Sequence, residues 1–118
     1  MISNGVDIIS IKRINKIISN PKLLRNIFTE NELEYITSRN YNTETIAGIF
    51  AAKEATLKSL HQGLDAYPLT EIEIAHQNYA PYLIFHGKLK KEIENQNLNF
   101  SVSISHDQEY AIAFVISY

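Results

Sequence analysis

The stretch Ile46–Leu60, IAGIFAAKEATLKSL, constrains this chain most. Ile46, Ile49, Phe50, Leu57 and Leu60 fall on one apolar stripe when the segment is wound as a helix. Ala47, Ala51, Ala52 and Ala55 favour that helix and keep its surface thin enough for close packing. Into this surface the sequence inserts Lys53, Glu54 and Lys58. Glu54 and Lys58 stand one turn apart with the acid on the N-terminal side, so they can pair. An ordinary solvated ion pair explains such residues, and so does a site; the helix alone leaves both open.

Ile2–Ile9 reads as a strand in which Ile2, Val6 and Ile8 share one face and Asp7 takes the other. Aspartate is disfavoured inside a strand, and Gly5 just before it signals a bend or a close approach of another group. An Asp that caps the next turn is the alternative. Ser10 can cap a helix over Ile11–Ser19 whose buried stripe is Ile11, Ile14, Ile17 and Ile18. Asn20-Pro21 ends it, and a short helical turn at Lys22–Ile27 follows. Thr29-Glu30-Asn31-Glu32 is a capping box flanked by Phe28 and Leu33, which predicts a helix from Glu30 to about Arg39. The central helix is expected from Glu44 to about Gln62, with Gly63 as its terminator.

Past Pro68 the period changes from helical to alternating. Glu71–Ile74 and Leu83–Phe85 read as strands joined by a turn over Gln77–Pro81. A polar helix over Lys88–Asn95 comes next. Phe100, Val102 and Ile104 alternate with Ser101, Ser103 and Ser105, and Tyr110–Ile116 reads as a last, largely buried strand. One strand, several helices and then strands with one inserted helix predict an α+β fold. Its mainly antiparallel sheet packs against the long central helix, and residues 1–118 are read as a single domain.

Composition bounds the function. The 118 residues contain no cysteine, which removes disulfides and thiolate metal sites and makes a reducing cytoplasm the expected location. No apolar run approaches a membrane span, and no export signal precedes Ile2. A formal net charge of −2 argues against a general nucleic-acid binder. The average hides a local asymmetry, because no acid lies between Ile8 and Thr29 while Lys12, Arg13, Lys16, Lys22 and Arg25 all do. That patch can face an acidic partner or simply be solvated.

Asp7 and Glu54, on elements that can pack together, can share a hard divalent ion such as Mg²⁺, which accepts one or two carboxylates and completes its shell with water and phosphate. Zinc spacing is absent. Lys53 and Lys58 would flank such an ion and neutralise phosphate. His106 can donate to phosphate or stand solvated at its turn, and His61, His76 and His86 show no telling partner.

Taken together, Asn4-Gly5-Val6-Asp7-Ile8, Arg13-Ile14, Phe28-Thr29 with Glu32-Leu33, Ala47-Gly48, Phe50-Ala51-Ala52-Lys53-Glu54-Ala55 with Lys58, and Val102-Ser103-Ile104-Ser105-His106-Asp107 resemble the holo-acyl-carrier-protein synthases, the small 4′-phosphopantetheinyl transferases of fatty-acid synthesis. The resemblance covers nearly the whole chain in order. It implies transfer of 4′-phosphopantetheine from coenzyme A to a serine of apo acyl carrier protein, with release of adenosine 3′,5′-bisphosphate. It implies Asp7 and Glu54 as Mg²⁺ ligands, Glu54 as acceptor of the serine proton and Lys58 as the active-site lysine. Asp7, Glu54 and Lys58 are thus the expected catalytic set. Lys53, Lys58, Pro81 and His106 are the expected coenzyme A contacts. Arg13, with Lys12, Lys16 and Arg25, is the expected carrier-protein surface. A homotrimer with active sites at subunit interfaces is also implied.

Four positions depart from the family pattern. Ser10 stands where an acid is usual, Ile49 where an arginine is usual, and His61-Gln62-Gly63 where a glycine-rich turn is usual. Tyr79-Ala80-Pro81 replaces a Gly-Lys-Pro turn. These departures motivate an alternative, a relative that binds carrier protein or coenzyme A without turnover.

Overall fold

The structure is a computed structural model and describes residues 1–62 and 66–118. Strand β1 (Ser3–Ser10) is followed by four helices, α1 (Ile11–Ile18), α2 (Pro21–Ile27), α3 (Glu30–Ser38) and α4 (Thr43–Ser59). A 3₁₀ turn at Leu69–Glu71 leads into β2 (Ile72–Gln77), β3 (Ala80–Phe85), α5 (Gly87–Gln96), β4 (Phe100–His106) and β5 (Tyr110–Ser117). The strands form a three-stranded sheet in the order β1-β5-β4 and a two-stranded β2-β3 sheet, all pairs antiparallel. Helix α4 packs across β1 and β5, and the α+β architecture is the expected one.

Local signals explain most boundaries. The capping box at α3 is complete: Glu32 N–H donates to Thr29 Oγ1 at 3.1 Å, and Thr29 N–H donates to Glu32 Oε1 at 2.9 Å. Asn20 caps α2 by accepting from Leu23 N–H, and Asn42 caps α4 by accepting from Thr45 N–H. Ser10, expected to cap α1, makes no side-chain cap bond. Asn78 and Tyr79 both hold positive φ, 51° and 69°, which closes the β2-β3 hairpin with only two residues.

The end of α4 differs from expectation. The helix stops at Ser59, and the left-handed residue that terminates it is His61, at φ 59°. Gln62 N–H donates to Leu57 O and His61 N–H to Lys58 O, the paired bonds of a Schellman turn. Gly63, the expected terminator, lies outside the described residues.

The principal reversal concerns the sheet. Residues of β1 alternate as predicted, but the face carrying Val6 and Ile8 is the exposed one, at 49% and 61%. Gly5, Asp7 and Ile9 face inward. On β5 likewise, Ala111, Ala113 and Val115 are buried while Tyr110, Ile112 and Phe114 are exposed, so this strand is not the largely buried one expected. Small inward residues let α4 lie close. A Cβ built on Gly5 would stand 2.5 Å from Ser59 N and closer still to the Ala55 carbonyl oxygen. Both obstacles are backbone and cannot swing aside. Gly5→Ala should therefore push β1 off α4, lowering stability by about 3 kcal/mol or more and displacing Asp7. Chemical denaturation of the purified variant checks it, and an unchanged midpoint would contradict the close packing.

Candidate active site

The β1-α4 contact brings Asp7 against the polar edge of α4. Asp7 is 7% exposed. Its Oδ1 accepts a hydrogen bond from Lys58 Nζ at 2.9 Å, and the same ammonium donates to Val6 O at 3.1 Å. Lys58 thus reaches across to the strand and does not form the expected pair with Glu54. Asp7 Oδ2 is buried and has no donor among the described residues. Leaving a buried carboxylate oxygen unsatisfied is costly unless something positive sits there.

Glu54 is close enough for the Asp7 carboxylate to perturb it. Burial comes first in lifting its pKa to about 7, and the adjacent Asp7 carboxylate adds to the rise by hydrogen bonding and by charge repulsion. Lys58 and then Arg13 oppose it, which places Arg13 within electrostatic reach of the site. Two crowded carboxylates cannot both stay ionised at low cost without a cation, so the raised pKa and the missing donor both reflect too few positive charges for the oxygens present. Two hard oxygen ligands with an unmet need for a cation fit Mg²⁺, which takes few protein carboxylates and leaves positions for phosphate. Among the described residues no cluster of three His, Cys, Asp or Glu offers a fuller cage.

Lys53 was expected beside the cofactor, and the structure overturns that. Its side chain is 0% exposed and forms an ion pair with Glu32 at 2.6 Å. It also donates to Leu69 O at 2.8 Å and to Ile72 O at 2.5 Å, so all three ammonium protons are engaged inside the protein. Glu32 accepts in addition from Ile74 N–H at 2.7 Å. Burial lowers the Lys53 pKa and raises that of Glu32, and each partner opposes the other's shift. The role of Glu32 is the feature that sequence reasoning missed. Its Oε1 serves both the capping box and Lys53, while Oε2 takes the Ile74 N–H. A signal existed: a lysine set among Ala51, Ala52 and Ala55 requires a buried counter-charge.

His106 and Pro81 do come together, in a cleft of about 160 Å³ between the start of α4, the β2-β3 hairpin and the end of β4. His106 Nδ1 lies 3.1 Å from Glu44 Oε2. This cleft includes neither Asp7 nor Glu54 nor Lys58. In the sheet Asp7 aligns with Ala113 and Ala113 with Ile104, so the two groups stand on opposite outer strands. A larger cavity of about 220 Å³ near the end of α4, lined by Ser3, Ser59, His61 and Gln96 among others, holds none of the expected site residues. His61 Nε2 is 3.0 Å from Ser3 Oγ there, tying the helix end to the start of β1. Lys12, Arg13, Lys16 and Arg25 are all exposed on α1 and α2. Ile49, by contrast, is buried.

Residues 3–115 match the family model described as the 4′-phosphopantetheinyl transferase superfamily. The holo-[acyl-carrier-protein] synthase of Fusobacterium nucleatum is 42% identical over 119 residues, covering 98% of each chain. The crystal structure of the Neisseria meningitidis holo-[acyl-carrier-protein] synthase superposes with a TM-score of 0.90 at 30% identity, covering 100% of this chain and 99% of that one. The Helicobacter pylori enzyme, solved in complex with coenzyme A, gives a TM-score of 0.85 at 32% identity with both chains fully covered at 100%. Sequence and fold agree, and the chain belongs to the holo-[acyl-carrier-protein] synthases of the 4′-phosphopantetheinyl transferase superfamily.

Proposed function

We propose that this transferase moves the 4′-phosphopantetheine arm of coenzyme A to a serine hydroxyl of an apo acyl carrier protein in the cytoplasm, releasing adenosine 3′,5′-bisphosphate and activating the carrier for fatty-acid synthesis. The observation that carries the reading is the buried, donorless Asp7 Oδ2 beside a Glu54 carboxylate whose pKa is raised to about 7. Held by Asp7 and Glu54, Mg²⁺ would supply charge neutralisation at the diphosphate of coenzyme A.

The chain's own groups supply the rest. Glu54 would also accept the serine proton as the hydroxyl attacks phosphorus. Lys58 is held in place by Asp7 and Val6 O and is half exposed, so its charge can meet the leaving diphosphate oxygen. Pro81 and His106 line the second cleft, which suits the nucleotide end of coenzyme A.

Two groups on opposite outer strands of one chain form one site most simply across a subunit boundary. The exposed apolar face of Val6, Ile8, Ile112 and Phe114 supports self-association, read here as a homotrimer. Among the described residues no helix is long and apolar enough to cross a membrane.

Incubation with coenzyme A, Mg²⁺ and apo carrier protein should add the mass of one phosphopantetheine to the carrier; no mass gain at stoichiometric enzyme would refute the proposal. The carrier surface has its own test. Lys12→Glu with Lys16→Glu should raise KM for the carrier about tenfold at low salt with kcat held, because surface charge governs encounter more than chemistry. Steady-state kinetics on the carrier check this, and an unchanged KM would remove α1 from the docking surface.

A further inference from the structure

The Pro81–His106 cleft has an unusual charge balance for a surface that meets a nucleotide. Among the described residues that line it there is no lysine or arginine. Ile49 forms part of its wall and is itself buried, so a permanent cation is missing at a helix position facing the cleft. The chargeable groups present are the imidazoles of His76 and His106 and the carboxylate of Glu44, beside the neutral hydroxyls of Tyr35, Thr45 and Tyr79. His106 lies 3.1 Å from Glu44, so any positive charge it carries is already countered, and the carboxylate repels a phosphate brought alongside. Burial first, and Arg39 second, hold the His76 pKa below the ordinary imidazole value, which keeps that ring neutral at pH 8. Arg39 lies over the Tyr35 ring, 4.9 Å from its centroid, and is not part of the lining. At the other group of site residues, Lys58 is committed to Asp7 and Val6 O and stands where the diphosphate would be.

In place of a fixed cation the cleft offers a flat ring surface. Tyr35 and His76 stack with centroids 4.1 Å apart and planes within 4°, and Pro81 is paired with His76 across the hairpin. Such a wall packs against a purine base, for which stacking on rings is worth more than charge.

We infer that this cleft receives the nucleoside end of coenzyme A as base and sugar, without a fixed counter-charge for the 3′-phosphate, so that 3′-dephospho-coenzyme A is a second phosphopantetheine donor for this enzyme. The inference rests on the coenzyme A reading above. The step balances as the parent reaction does. The serine oxygen forms a bond to the pantetheine-side phosphorus, the bridging P–O bond of the diphosphate breaks, and adenosine 5′-monophosphate leaves with the electron pair. The hydroxyl proton passes to Glu54 and then to solvent.

The test compares kcat/KM for the two donors at pH 8, with Mg²⁺ and apo carrier protein, using the intact protein. A preference for coenzyme A below tenfold is the expected result, and a preference of tenfold or more overturns the inference. Tyr79→Arg then places a permanent cation on the cleft rim from a residue that is 87% exposed and costs little packing. It should raise the preference for coenzyme A about tenfold, the worth of one charge-assisted contact; an unmoved ratio would mean that the 3′-phosphate does not lie here. Transfer from neither donor would overturn the transferase reading itself, and this inference with it.

Discussion

Glu54→Gln should lower phosphopantetheine transfer by at least about a thousandfold, the scale of losing a positioned proton acceptor together with a metal ligand. The same substitution should make the metal-free protein more stable at pH 8. The sign follows from the raised pKa. Glu54 titrates in the folded protein at about 7 against an ordinary value of 4.5, so the native state holds a proton there that the unfolded chain has already lost. Its contribution to stability is present below about 4.5 and is lost as pH rises through about 7. Above that range the wild-type protein carries two crowded carboxylates, and the neutral amide removes one of them. Thermal unfolding without metal should therefore show the variant above wild type at pH 8 and level with it near pH 4. A variant no more stable than wild type at pH 8 would argue that Asp7 and Glu54 do not crowd each other. Retained activity would remove Glu54 from the chemistry.

Lys53→Met should cost about 3–5 kcal/mol, because it leaves the Glu32 carboxylate buried without its cation. The remaining partners of Glu32 are the N–H groups of Thr29 and Ile74, which hold its position but do not neutralise it. Two carbonyl oxygens, those of Leu69 and Ile72, lose their donor as well. Adding Glu32→Gln to Lys53→Met removes the uncompensated charge and should restore a measurable part of the loss. Urea denaturation of both variants measures the effect. In the folded fraction, KM for coenzyme A should stay within about threefold of wild type. A variant of normal stability with a greatly raised KM would return Lys53 to the cofactor surface.

These two residues sit side by side in the sequence and do opposite work, which shows how far the sequence could be read. The elements were legible because their signals are local. The capping box fixes the start of α3, alternation marks β4, and the alanine-rich stripe makes α4. Asp7 and Glu54 were legible because a strand aspartate and a helix glutamate are each locally unexplained. The direction in which a strand faces is not local. Val6 and Ile8 look like core by composition, yet Gly5, Ala111 and Ala113 are the residues small enough to admit α4, so the large apolar side chains turn outward. The burial of Lys53, expected beside the ion, is not local either, since its neutralising partner Glu32 lies far away in the chain. His61 is a further case, a bulky residue held at positive φ where a glycine was expected, with Ser3 as its partner.

In the proposed mechanism Asp7 and Glu54 would hold a divalent ion that supplies their missing positive charge and serves phosphoryl transfer. The most direct measurement is an intact-mass time course of apo carrier protein with coenzyme A, comparing wild type and Asp7→Asn, each first stripped with a chelator and then given Mg²⁺. Wild type should be inactive when stripped and should convert the carrier once Mg²⁺ is restored, whereas Asp7→Asn should remain at least about a thousandfold slower at any Mg²⁺ concentration. Full conversion by the stripped wild-type enzyme, or by Asp7→Asn with Mg²⁺, would contradict it.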